Sequence, residues 1–261
     1  MATAARGQFH ENVVLITGGG SGIGRGIALA FAVEGATVMV TGRRKEPLDE
    51  TVNLIVKAGG KAASICGDVT KPDDCHNMVF ECVVRFGRLD ILVNNAGIAR
   101  YGALDQTQDE DIANLIDINL LGTALMTKYA IPELVKHAAA GTASILNIGT
   151  SAATSPVKHF AVYTAAKAAV IHLTLCMALE LAENRVRVNC INPGVVETPI
   201  FSTMMPAAAV KHAMSNFAKQ TPLGRVGDPR DVSEAALFLC SRKAGWITGA
   251  VLNVDGGISL T

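Results

Sequence analysis

The feature that most constrains this chain is a glycine cluster, Thr17-Gly18-Gly19-Gly20-Ser21-Gly22-Ile23-Gly24, set between a short β-branched run and a helical pattern. A strand that turns at once into a helix needs residues without Cβ, so that the backbone can approach an anion. The helix N-terminus then offers free N–H groups and a favourable dipole to a pyrophosphate. The spacing is G-x-x-x-G-x-G through Gly18, Gly22 and Gly24. It does not fit G-x-G-x-x-G, and it lacks the Lys-Ser/Thr ending of a P-loop, which argues against nucleoside triphosphate hydrolysis. Gly18, Ser21, Gly22, Ile23 and Gly24 are therefore candidate dinucleotide-binding residues; the bland alternative is a purely structural turn.

The same alternation continues along the chain. Short apolar runs at 13–17, 37–41, 63–66, 91–94, 144–148, 186–191 and 251–254 predict strands. Helical patterns lie between them at 24–33, 47–58, 72–86, 109–137, 161–183 and 229–240. The strand runs are continuous rather than alternating, which suits strands covered on both faces. The expected fold class is α/β: a doubly wound, seven-stranded parallel sheet with helices on both faces. No repeat or composition break divides the 261 residues, so they read as one domain, with 1–10 as a loose N-terminal tail. Residues from about 195 to 221 interrupt the alternation with Pro199, Pro206 and Met204-Met205, and read as a substrate lid.

Composition narrows the partners. Lys and Arg total 23 and Asp and Glu total 23, which leaves no basic surplus for a nucleic acid. No apolar run reads as membrane-spanning and the N-terminus has no hydrophobic signal core, so the expected compartment is cytoplasmic, with no membrane partner. The six cysteines form no C-x-x-C pair and the six histidines lack ligand spacing, so reduced packing cysteines and no metal are expected.

The second strand should end at the adenosine ribose, where an acidic residue would accept from the 2′-OH of NAD. Here Gly42 holds that place and Arg43 follows. Arginine can grip a phosphate through two parallel charge-assisted bonds, so NADP is expected over NAD. The alternative is that Arg43 is a solvated charge, or stacks on adenine while NAD binds.

Tyr163 and Lys167 are four residues apart on a predicted helix and share one face. A free phenol titrates near 10. A nearby ammonium favours the phenolate, making Tyr163 a workable acid for carbonyl reduction and base for alcohol oxidation.

Together these motifs resemble the short-chain dehydrogenase/reductase family, from about Val13 to Gly257, with the 3-oxoacyl-carrier-protein reductase branch among those similar. The matching segments, in order, are TGGGSGIG, Gly67-Asp68-Val69, the NNAG of 94–97, Asn119 in DINL, the YTAAK beginning at Tyr163, the PGVVET of 193–198 and the terminal TGAVLNVDGG. The resemblance implies a Rossmann fold and a nicotinamide-dependent oxidoreductase, with hydride passing between NADP(H) and a carbonyl or secondary alcohol carbon. It also implies roles. Asp68 and Val69 would contact adenine, Asn95 would line the cofactor groove, and Thr198 with the Val196 backbone would hold the carboxamide. Tyr163 and Lys167 would also contact the cofactor, Lys167 through the nicotinamide ribose. Asn119 would bend its helix and hold a water linking Lys167 to solvent. The family serine thirteen residues before the tyrosine is replaced by Thr150, with Ser151 next to it. Threonine keeps the donor and acceptor of serine, so Thr150 is the expected substrate-steadying hydroxyl and Ser151 the substitute.

For the substrate, Phe201, Met204 and Met205 would give the lid an apolar, adaptable surface, with His159 and Tyr101 as further walls. An apolar ketone or 3-oxoacyl compound is expected; simple packing of these residues on the domain is the alternative. The resemblance further implies a homotetramer or homodimer paired through the helix at 161–183 and the C-terminal strand. Other readings are an NAD-dependent alcohol, sugar or steroid dehydrogenase, an epimerase or dehydratase with bound cofactor, and a non-catalytic NADP-binding regulator.

Overall fold

The computed structural model describes residues 7–261. Its strands are β1 (Val13–Thr17), β2 (Thr37–Gly42), β3 (Lys61–Cys66), β4 (Ile91–Asn94), β5 (Ser144–Ile148), β6 (Arg187–Pro193) and β7 (Val251–Val254). All pair in parallel, in the order β3-β2-β1-β4-β5-β6-β7. The helices are α1 (Gly22–Val33), α2 (Lys45–Lys57), α3 (Pro72–Phe86), α4 (Asp109–Ile116), α5 (Gly122–His137), α6 (Ala161–Glu180), α7 (Ala207–Gln220) and α8 (Pro229–Cys240).

The continuous apolar runs have the predicted cause. Val14 and Ile16 of β1 face a layer holding Ile27 and Phe31 of α1, Leu48 of α2 and Val232 of α8. Val13 and Leu15 point the other way, into a layer holding Met78 of α3, Met126 of α5 and Ala178 of α6. Every residue of β1, β4, β5 and β6 is buried, whereas the edge strands β3 and β7 are partly exposed. Strand order reverses beside β1. The loops leaving β1, β4, β5 and β6 therefore converge at one end of the sheet, the place where doubly wound folds bind ligands.

Four expectations change. Residues 1–6 of the expected loose tail lie outside the described residues, but 7–10 are not loose. Phe9 is fully buried, its ring edge-on to Phe31 at 4.7 Å, and its N–H donates to the Glu34 carbonyl at 2.9 Å. Burying such a ring stabilises by about 1.5–3 kcal/mol, which with the backbone hydrogen bonds offsets part of the cost of ordering the segment. The helix expected over 109–137 is broken: α4 and α5 are joined by a π-helical turn at Asp117–Leu121, where Asn119 bonds outside its own helix. The lid is not irregular throughout, because α7 begins after Pro206, where an alanine run carries no breaker before Gln220. Finally, one run does reach membrane-spanning length. α6 has 20 residues and a mean hydropathy of 1.5, yet it lies on the sheet against β5 and β6, beside α4 and the π-helical turn. Its apolarity serves packing there.

Candidate active site

The glycine loop is shaped by close approaches. Gly18 and Gly22 have φ of 65° and 52°, left-handed values that residues with a Cβ rarely adopt. A Cβ on Gly24 would lie 2.4 Å from both the Gly18 carbonyl oxygen and Asn95 Nδ2. Ser21 caps α1 without a side-chain hydrogen bond and no acid occupies the first turn, so the helix leaves N–H groups for an anion. Ile23 packs on the core and fixes the helix entry. Thr17 and Asn95 lock the loop to β4: Thr17 Oγ1 accepts from the N–H groups of Asn95 and Ala96, both at 3.0 Å, and Asn95 Nδ2 donates to the Thr17 carbonyl at 2.9 Å. Asn95 is thus a clamp on the loop as well as a groove residue. From the opposite side, Thr198 sits over Gly22, where a Cβ would meet its side chain at 3.1 Å. Val196 is buried and bridges to Gly227. These contacts leave a cradle that a side chain would fill, as a dinucleotide pyrophosphate requires.

At the adenosine end, β2 stops at Gly42 opposite Cys66, and Arg43 is exposed beyond it. Asp68 accepts from the Thr70 N–H and hydroxyl at 3.0 and 2.9 Å. Burial pushes its carboxyl up, but the Thr70 bonds and the Arg43 and Lys71 charges outweigh it, and the carboxyl ends below its ordinary value. Arg43 and Asp68 therefore face a common space. Val69 is buried against Gly122, which has no Cβ to collide with it.

The candidate reactive groups lie where β4, β5 and α6 meet. Lys167 is buried and its Nζ donates to the Ile148 carbonyl at 2.7 Å. Burial lowers its pKa to about 8, with the Cys190 thiol opposing. Gly97 leaves room beside it: a Cβ there would lie 2.7 Å from Asn119 Oδ1 and 3.4 Å from Lys167 Nζ. Asn119 Nδ2 donates to the Ile98 and Leu115 carbonyls, both at 2.9 Å, and its Oδ1 accepts from the Ile98 N–H at 3.2 Å. The asparagine side chain is thus spent on holding the NNAG loop and the π-helical turn. Asn147 steadies α6 by donating to Thr174 Oγ1 at 2.9 Å.

Burial pushes the Tyr163 phenol above its ordinary pKa, and a hydrogen bond with the Thr150 hydroxyl opposes that rise. Thr150 is half-buried at the exit of β5, and Ser151 next to it is buried. The sequence reading gave the tuning of Tyr163 to Lys167, but in this structure the Lys167 ammonium rests on Ile148. No spacing in the sequence flagged Cys190 or Ile148, because each reaches the site through the backbone or from a neighbouring strand.

An aromatic series leads outward from Tyr163. Phe160 lies edge-on at 6.0 Å, Tyr101 lies 5.5 Å from Phe160, and His159 lies 5.1 Å from Tyr101. His159 has a left-handed φ of 70° and its carbonyl accepts from the Gly102 N–H at 3.0 Å. Phe160 is three residues before Tyr163, a helical spacing that could have pointed to it. The cavity against Tyr163, lined by Phe160, His159 and Leu115, measures about 10 Å³. In the lid, Phe201 packs on Phe217 of α7 at 6.2 Å, while Met204 and Met205 are half-buried.

Comparison with known proteins agrees with this geometry. The family model described as enoyl-(acyl carrier protein) reductase matches residues 18–259. The chain is 38% identical over 251 residues to the 3-oxoacyl-[acyl-carrier-protein] reductase FabG of Thermotoga maritima, covering 96% of this chain and 99% of that protein. It is 39% identical over 253 residues to the 2,5-dichloro-2,5-cyclohexadiene-1,4-diol dehydrogenase LinX of Sphingobium indicum, covering 97% and 98%. Among solved structures, the 3-ketoacyl-(acyl-carrier-protein) reductase of Brucella melitensis complexed with NADH superposes with a TM-score of 0.88 at 37% identity, covering 96% of this chain and 99% of that one. These likenesses place the chain in the short-chain dehydrogenase/reductase family, as an oxidoreductase acting on carbonyl and alcohol substrates.

Proposed function

We propose that this chain is an NADP-dependent oxidoreductase interconverting an apolar ketone, or a 3-oxoacyl compound, with its secondary alcohol. The observation that carries the reading is Tyr163 one helical turn from the buried Lys167 on α6, with Thr150 on the loop that leaves β5. Gly18, Gly22, Gly24, Asn95, Val196 and Thr198 would hold the dinucleotide, which when bound supplies or accepts hydride. In carbonyl reduction Tyr163 Oη gives its proton to the substrate oxygen, and in alcohol oxidation the phenolate takes it back. Thr150 orients that oxygen and favours the phenolate. Lys167, its pKa lowered to about 8 by burial, stays largely protonated at neutral pH and would bond the ribose hydroxyls of the dinucleotide. Asn119 holds the backbone through which a water would restore the proton by way of Lys167.

Thr150→Ala is expected to lower kcat by roughly 10- to 100-fold, because it removes one hydrogen bond to the reacting oxygen. It also removes the contact that holds the phenol down, so the Tyr163 pKa rises further. Alcohol oxidation needs the phenolate, so its rate rises with pH through that pKa. In the variant the rise moves to higher pH, as a pH profile of kcat/KM would record. An unchanged profile with full activity would return the role to Ser151.

The preference for NADP rests on Gly42 and Arg43. Arg43→Ala is expected to raise the KM for NADP roughly tenfold to a hundredfold and leave that for NAD unchanged. A clear preference of the unaltered enzyme for NAD sinks this reading; the NADH bound to the Brucella melitensis relative favours that alternative. Phe201, Met204, Met205 and His159 supply an apolar and aromatic mouth suited to a hydrophobic substrate. Screening coenzyme oxidation across ketoacyl thioesters, ketosteroids, quinones and simple ketones tests it, and activity confined to hydrophilic sugars would overturn it. A homotetramer or homodimer in the cytoplasm completes the proposal. Leu175 and Leu179 on α6 are 38% and 81% exposed, and beside edge strand β7 Trp246 is fully exposed; both surfaces would be covered by pairing.

A further inference from the structure

The terminal Asp255-Gly256-Gly257 segment has no part in the chemistry above, yet its backbone is tightly specified. Gly256 and Gly257 have φ of 63° and 86°, and a Cβ on Gly256 would lie 2.5 Å from the Thr221 side chain. Asp255 leaves β7 against Gly194, where a Cβ would lie 2.7 Å from the Asp255 Cα. Its Oδ1 accepts from the Gly257 N–H at 2.9 Å and its Oδ2 from the Ser259 N–H at 3.2 Å. Burial pushes this carboxyl up, but the Ser259 and Gly257 hydrogen bonds outweigh it and keep it ionised. The two bonds close a 3₁₀ turn at Ile258–Leu260.

That turn meets the Thr150 loop. Thr150 lies beyond the last ladder pair of β5 and caps a 3₁₀ turn at Ser151–Ala153. Such turns have poor hydrogen-bond geometry, and the only bond from the turn to the Thr150 hydroxyl is the Ala152 N–H at 3.4 Å. The turn's far end is held from outside: the Ser155 N–H donates to the Ser151 carbonyl at 3.1 Å, and Ser155 Oγ donates to the Ser259 carbonyl at 2.8 Å.

We infer that the C-terminal turn, through the Ser155 Oγ bond to the Ser259 carbonyl, fixes the Thr150 hydroxyl at Tyr163, which makes Ser155 and Asp255 positioning residues for the reaction. The inference rests on the reading of Thr150 and Tyr163 given above. It connects the last residues of the chain to proton transfer across the exit of β6.

Steady-state kinetics of the full chain test it from both ends. Ser155→Ala and Asp255→Ala are each expected to lower kcat about fivefold to tenfold, with the KM for the coenzyme held within about twofold. Ser155→Thr, which keeps the hydroxyl, should recover most of the loss. The pH rise of alcohol oxidation should move upward in Ser155→Ala, as in Thr150→Ala. Ser155→Ala should add no further loss in a Thr150→Ala background, because the two act through one contact. Full activity of Ser155→Ala beside an impaired Thr150→Ala overturns the inference alone, as does an equal loss in both backgrounds or a loss matched by the unfolded fraction in circular dichroism. Full activity of Thr150→Ala overturns the reading of the site, and this inference with it.

Discussion

Tyr163→Phe is expected to lower kcat by about 10²–10⁴-fold, the usual worth of a positioned general acid or base. The change deletes one oxygen and leaves the ring that packs edge-on to Phe160 at 6.0 Å, so the fold is retained. Coenzyme binding should change little, since the glycine loop and Thr198 do not depend on the phenol. The loss should appear in both directions, because the same oxygen delivers the proton in reduction and removes it in oxidation. Absorbance of the reduced nicotinamide under saturating substrate measures it, with fluorescence titration of the coenzyme as the control for binding. Retained turnover would mean that another group moves the proton. His159 would then be the first to test, because it lines the same small cavity.

The second large effect is expected from Gly24→Ala. The new Cβ would lie 2.4 Å from the Gly18 carbonyl oxygen, a backbone atom that can move only by displacing the loop. Overpacking of this kind costs about 1–3 kcal/mol. For a chain of this size that lowers Tm by roughly 2–12 °C. Function should suffer more than stability. The Gly18 and Asn95 groups that must shift are those lining the cradle, so the Kd for the coenzyme should rise by at least about tenfold, with the melting curve still cooperative. Calorimetric titration and thermal melting read the two effects separately. Undiminished coenzyme affinity would show that the loop does not cradle the pyrophosphate. Gly59 is the matching control, since a Cβ there meets nothing within 4 Å, although its φ of 86° still strains an alanine.

Much of this was legible beforehand because local chemistry and position carried it. β1, β4, β5, β7, α3 and α8 fall where hydrophobic runs, helix-start acids and prolines put them. Tyr163 and Lys167 share a helix, so their spacing alone brings them together. The errors have physical causes of the other kind. Phe9 seemed part of a polar tail, but its burial depends on Phe31, which is distant in sequence. In the long helix at 109–137 only Gly122 and the bend that the resemblance assigns to Asn119 hinted at a break, and neither gave its form. The π-helical turn exists because Asn119 finds partners at Ile98, across a loop from another strand. The α7 alanine run was readable as a helix, and the prolines around it obscured that.

The sequence by itself determined the α/β alternation, the glycine cradle, the Tyr-Lys pair and the family, since each lies in contiguous or helically spaced residues. Only the tertiary structure decided where the Lys167 ammonium rests and how the final turn reaches the Thr150 loop. Those contacts join β5, α6 and the C-terminus across gaps in the chain of 19 residues for Lys167 and Ile148 and 104 for Ser155 and Ser259. No local pattern records such distances; packing of the whole sheet sets them.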